Sequence, residues 1–334
     1  MGKQVVGRRT TKVGVWVGFF SIFAASSCQR QSDQTPGTVK TEWRHQYGPE
    51  LNSEKEWDAR GANGQIRRTY KDGRVACESW KEGKPHGLWT ETFPHSSVLQ
   101  TERFYDNGTC VLATWNYPMG MPMRQESYQP DGVILVSTWY EDGTPQSKEE
   151  YRDRRLVCGR YFSPSQEVDS QVEDGAGLRT VRDPYGQLTA HEEIGDGVLG
   201  VRICFHQNGM PASRTTFVNG VPHGLINTFL PSGEPETIQE WQQGRPHGTA
   251  TFFQNGERCS DIPYVDGKRE GVERRYGIDG VVVEEISWKD DVRDGPTISY
   301  VGGEKEVTWY SDGSQVTKEE FRERNAPGCS VALD

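Results

Sequence analysis

GVRICFHQNGMPASRTTFVNGVPHGLINTFLPSGEPETIQEWQQGRPHG, residues 200–248, writes one short pattern twice, and the chain goes on repeating it as far as Gly303. Its glycines fall into columns. Gly200, Gly224, Gly248, Gly271 and Gly295 form one, and Gly209, Gly233, Gly256, Gly280 and Gly303 a second, each stepping by 23 or 24 residues. A third column, Gly197, Gly220, Gly244 and Gly267, keeps the same period until Asp291 takes the glycine's place. A fixed period of this size signals a repeat architecture, in which each unit buries its apolar side against its neighbours.

Two kinds of turn alternate within the unit. Asn208-Gly209, Ser232-Gly233, Asn255-Gly256 and Asp279-Gly280 read as tight hairpin turns, where glycine supplies the positive φ. Asn219 to Gly224, Gln243 to Gly248 and Asp266 to Gly271 read as longer turns. Between them lie runs of about six residues rich in Thr, Ile, Val and aromatics, such as Leu225 to Leu230, which is strand length. Strand, tight turn, strand, longer turn predicts an all-β, single-layer antiparallel meander. The aromatics keep columns too: Phe217, Trp241, Tyr264 and Trp288 precede the longer turn, with Trp80 in the matching place, and Phe229, Phe253, Tyr276 and Tyr300 follow it. Equivalent rings lie two strands apart, roughly 10 Å. The expectation is that the two columns interleave into one continuous aromatic stripe that serves as the core.

The paired columns, aromatic-x-x-Gly-x-x-x-Gly around the longer turn, resemble the MORN (membrane occupation and recognition nexus) repeat, and most nearly its bacterial variant. The turn glycines that carry the resemblance are Gly83, Gly87, Gly220, Gly224, Gly244, Gly248, Gly267, Gly271 and Gly295. It is regular over 177–316 and degraded over 50–176, where Tyr151-Arg152-Asp153-Arg154 lacks the glycine and the phase slips between Ser163 and Gly175. The resemblance implies an elongated ribbon of hairpins acting as a scaffold or interaction surface. One branch of the variant is labelled as antitoxins, which implies a partner toxin as the alternative.

Composition agrees with a thin structure. Only 33% of the 334 residues are hydrophobic, too few for a deep central core, yet 10 Trp, 13 Tyr and 12 Phe exclude a disordered chain. The net charge of −10 repels phosphate backbones, so nucleic acid is not an expected partner.

At the N-terminus Lys3, Arg8, Arg9 and Lys12 precede the apolar run Val13 to Ser27, the order of an export signal, and the run is too short to span a bilayer. Ala25-Ser26-Ser27-Cys28 resembles the lipobox of bacterial lipoproteins, with Cys28 as the acylated residue. That resemblance implies a signal over 1–27 and a membrane anchor on Cys28. Gln29 implies the outer membrane, facing the periplasm or the surface, and a secreted form is the alternative. Losing the signal's four positive charges takes the net charge from −10 to −14. Residues 28–49 read as a flexible tether and 317–334 as a tail.

No catalytic motif appears. Adjacent acid pairs such as Glu149-Glu150 and Glu192-Glu193 point to opposite faces of a strand, so a hydrolase would need carboxylates converging across strands. His86, His223 and His247 occupy one repeat position and stand about 10 Å apart where adjacent, too far to share a metal, so neither metal nor cofactor is expected. The cysteines after Cys28 are 33 or more residues apart and read as mostly unpaired. The expected partner is a protein that the residues do not identify, with self-association through open sheet ends as a further route.

Overall fold

The computed structural model describes residues 37–48 and 50–325; the lipobox expected at Cys28 and the tail cysteine Cys329 lie outside them. All 27 strands of the described residues join one antiparallel sheet, a meander from Gly64–Tyr70 to Ser314–Val316 in which the short strands Lys84–Pro85 and Lys268–Arg269 pair only with the strand before them. The sheet runs without a break through the 176/177 boundary expected between degraded and regular repeats, because Glu173 pairs with Ala176 across a hairpin there.

Two corrections concern the ends. The expected tether contains the strand Thr38–His45, which pairs with Gly64–Tyr70 and sends Trp43 to the side of Ile66. A single-layer sheet asks a strand for few apolar residues, so this polar stretch carried no periodic signal. Behind it, helix α1 (Glu54–Ala59), capped by the Ser53 hydroxyl, drives Trp57 into Leu51, Ala62, Ile66 and Trp80. The expected tail begins with helix α2 (Lys318–Arg324), closed by a capping box between Thr317 and Glu320. Phe321 then lies 5.1 Å from Trp309. Each end of the sheet therefore carries a small helical cap.

The two turn classes exchange roles. Asn219-Gly220, Gln243-Gly244 and Asp266-Gly267 are two-residue turns with φ near +50° and +80°, flanked by paired residues such as Val218 and Val221. That is the twist-matched hairpin turn. Asn208-Gly209 and Ser232-Gly233 instead close three-residue loops, in which His206 and Met210, or Leu230 and Glu234, bond across the base. Asn255-Gly256 is a two-residue turn, as expected. The second glycine of each supposed long turn, Gly224 for example, sits at positive φ inside the following strand, where the register shifts.

That bulge has a purpose visible along the whole edge. It turns out the proline carbonyl and the histidine ring toward the next hairpin tip. Pro222 O accepts from Gly244 N at 2.9 Å, Pro246 O from Gly267 N at 2.8 Å and Pro85 O from Gly108 N at 2.8 Å. His86, His223 and His247 accept through Nδ1 from the backbone N–H of Asn107, Gln243 and Asp266 at 3.4 to 3.5 Å. Glu270 replaces the histidine in the next unit and accepts from Asp290 N at 2.9 Å. Successive tips are thus tied to one another outside the strand ladders.

Register also separates the aromatic columns. Thr215 pairs with Ile226, so Phe217 lies on their face, while Phe229, an odd step from Ile226, lies on the other. The same parity sends Trp241, Tyr264 and Trp288 to one face and Phe253, Tyr276 and Tyr300 to the opposite one. The single interleaved stripe is replaced by two columns on two faces. The first, on what we call the inner face, runs on through Trp80, Tyr105, Tyr151, Val172, Ile194 and Tyr310, with aliphatic residues where the repeat had seemed to lapse.

The lapse itself is a bend. Turns at Asp153-Arg154, Asp174-Gly175 and Asp196-Gly197 follow at steps of 21 and 22 residues, so the hairpin Val168 to Arg182 is short. The outer two tips close over it: Leu156 N bonds Gly197 O at 3.0 Å, and Arg155 Nη1 bonds Asp196 O at 2.7 Å. A Cβ on Gly197 would stand 2.9 Å from Leu156 O, so only glycine fits.

Candidate interaction surface

At the bend the inner face is filled by charge. Glu149 pairs in register with Gly159, which pairs with Val172, so two small residues separate Glu149 from the strand that carries Arg179. Across that gap Arg179 Nε meets Glu149 Oε1 at 2.9 Å, and its Nη1 meets Glu192 Oε2 at 3.2 Å. Arg202 closes the chain on Glu192 Oε1 at 2.6 Å. Tyr151 and Tyr161 donate their hydroxyls to the two oxygens of Glu149, each at 2.9 Å. Desolvation, and then the Glu149 charge, push both tyrosine hydroxyls well above their ordinary range. Burial works against the Arg179 charge, but Glu149 and its neighbours outweigh it and raise its pKa well above normal. Every oxygen of Glu149 already has a donor, so the cluster suits holding the sheet in a bent form better than moving protons. Glu150 and Glu193 point to the other face, as strand geometry requires.

Elsewhere the inner face repeats the theme on a smaller scale. Trp80 Nε1 donates to Glu78 at 3.2 Å, and Trp288 Nε1 donates to Glu273 at 2.8 Å. The Arg269 guanidinium lies 3.5 Å from the Trp288 ring centroid, and Arg293 lies between Trp288 and Tyr310. Trp80 and Trp288 are packing residues whose indole N–H groups are already satisfied.

The outer face differs. Leu88 pairs with Phe104, Phe104 with Leu112, Leu112 with Ser127 and Ser127 with Leu135, so one row of the outer face crosses five strands almost wholly apolar. Leu88 is 48% exposed, Phe104 46% and Leu135 43%. An open depression of about 440 Å³ lies over Leu88, Phe104, Leu112 and Gln125. A second, of about 420 Å³, lies farther along the same face over Leu135, Lys148, Glu150, Cys158, Arg160 and Glu173. Exposed apolar side chains set side by side make this row the candidate interaction surface. The repeat columns do not reveal it, because the row lies in the degraded half and on the face opposite the aromatic column, and its members meet only through strand register.

Among the described residues no group of three or more His, Cys, Asp and Glu is placed to hold a metal ion, Cys77, Cys158, Cys204 and Cys259 are free thiols, and the Cys110 thiol donates to Leu112 O at 3.5 Å. No described helix is long and apolar enough to cross a membrane.

The MORN repeat family model matches residues 79–94 and 240–258. Both stretches hold an aromatic, a two-residue turn, the Pro-His pair and the second glycine, the tip-tying unit described above. No curated protein matches the chain. Among solved structures the chain is similar to TarM of S. aureus in complex with Fondaparinux, at 10% identity over 37% of this chain and 21% of that one, TM-score 0.19. It is similar to the Photorhabdus luminescens Tc holotoxin pore at 10% identity over 75% and 14%, TM-score 0.16. A porin-like protein from Bacteroides uniformis gives 8% identity over 74% and 89%, TM-score 0.16. The chain thus spans about a fifth and a seventh of the first two proteins, and likenesses at these TM-scores carry no argument.

Proposed function

We propose that this chain of MORN repeats is a non-catalytic scaffold, held to the cell envelope by lipid on Cys28, whose outer face binds another protein. MORN repeats are interaction modules for proteins and membranes, which supports the general class. The observation that carries the reading is the row from Leu88 to Leu135, in which apolar side chains on successive strands stand side by side and largely uncovered. The inner face supports it by contrast, since its carboxylates are occupied by Arg, Tyr and Trp donors. A short export signal ending at Cys28 supports the anchor, and two or more acyl chains attach a protein stably where one does not.

Two experiments test the two halves. Membrane fractionation should recover the wild type with membranes and Cys28→Ala in the soluble fraction; equal release of both removes the anchor. A photo-crosslinker in place of Phe104 should capture a discrete protein in cells, while the same group in place of the inner Thr215 should not. Equal labelling from both positions removes the outer-face reading.

A further inference from the structure

The second outer-face depression holds a pair of cations that the fold does not use. Lys148 and Arg160 stand directly opposite each other on neighbouring strands, both exposed, and both line the depression that Leu135 floors. Like charges in that position repel each other. The nearest carboxylate in register, Glu150, is engaged by Arg152 at 3.4 Å, and among the described residues neither Lys148 nor Arg160 forms an ion pair within 4.0 Å. Two facing cations with no carboxylate of their own are a place where an acidic ligand would relieve the repulsion.

Resting on the scaffold reading above, we propose that the trough from Leu88 to Arg160 docks an amphipathic α-helix of a partner protein, its apolar face on the leucine and phenylalanine row and carboxylates at one end on Lys148 and Arg160. The face of a sheet offers no free backbone groups, so a segment lying on it must satisfy its own N–H and C=O groups, and a helix does. Lying across the strands, its 5.4 Å turns fall close to the ~4.8 Å strand spacing, so anchors at i, i+4 and i+7 meet successive strands. Leu88 and Arg160 are six strand steps apart, about 29 Å at that spacing, which a helix of about 19 residues spans.

The test is selection from a displayed library of helix-biased peptides of about 20 residues against the full-length protein, followed by affinity measurement on synthetic copies. Selected peptides should carry apolar residues at helical spacing with Asp or Glu grouped at one end. They should bind Leu88→Ser/Phe104→Ser at least tenfold more weakly. On Lys148→Glu/Arg160→Glu the preference should invert, so that Lys-ended copies bind better than Glu-ended ones; a misfolded variant cannot show such an inversion. Peptides with no acidic end, or the same ranking on the charge-reversed protein, overturn the proposal. So does tighter association with phosphatidylglycerol vesicles that the charge reversal abolishes while peptide binding is unchanged, which makes the pair a lipid contact. If Phe104 crosslinks a protein in cells while these peptides fail, the helix proposal falls and the scaffold reading stands.

Discussion

Replacing Glu149 by alanine strikes the one place where the sheet is held bent by buried charge. The side chain is 2% exposed and accepts from the Tyr151 and Tyr161 hydroxyls and from Arg179 Nε, all at 2.9 Å. Its loss orphans two buried hydroxyls, at about 1–3 kcal/mol each, and removes one of the two carboxylates on Arg179. Arg179 keeps Glu192, so the charge is not stranded, and the total cost falls at about 3–5 kcal/mol. Because a repeat sheet unfolds through neighbour contacts, the effect should concentrate between the hairpins flanking Val168 to Arg182. Hydrogen exchange should show Leu156, whose amide bonds Gly197 O across the short hairpin, and Gly197, whose amide bonds Gly175 O at its tip, losing protection while the hairpins after Phe217 keep theirs. Glu149→Leu combined with Tyr151→Phe and Tyr161→Phe removes the orphaned hydroxyls and should regain more than half of the loss. A single substitution costing under about 1 kcal/mol, or a triple variant worse than the single, refutes the account of the bend.

Further expectations concern the edges and caps. His247→Ala should cost about 0.5–1 kcal/mol and speed exchange of the Asp266 amide, which the ring accepts from, without changing amides two units away. Asp291 stands at φ +68°, and its carboxyl is held below the ordinary range by the Arg269 backbone N–H and then by the guanidinium. That stabilisation is complete above pH 3.8 and fades as pH falls through the lowered value, whereas the strain does not. Asp291→Gly should therefore be nearly neutral at pH 7 and gain on the wild type in melts at pH 3. Trp57→Ala empties a fully buried site and should cost about 3–5 kcal/mol, read as release of α1 by limited proteolysis near residue 55.

What the residues disclosed beforehand was the period, and with it the strand, turn and strand order of the meander, since glycine at positive φ and aromatics in columns are local requirements. The exchange of turn classes was hidden because Asn-Gly serves both a two-residue turn and the end of a three-residue loop, as Asn219-Gly220 and Asn208-Gly209 show. The apparent slip after Ser163 was legible only as irregularity; its meaning depends on tips closing over a hairpin shortened by about two residues. The cluster around Arg179 left no trace in the order of residues, because Glu149, Tyr161, Glu192 and Arg202 meet through strand register alone. Turn positions can dispense with glycine when a neighbour compensates, as Asp291 does through Arg269.

The account rests on the outer face of the Leu88 to Leu135 region being the surface that meets a partner, and scanning crosslinks measure that directly. With a photoreactive residue placed in turn at Phe104, Leu112 and Leu135, and at the inner positions Ala113, Val136 and Thr215, the outer three should yield one common adduct in intact cells and the inner three none. A common adduct from the inner positions, or none from the outer ones with the protein folded and present, contradicts the assignment.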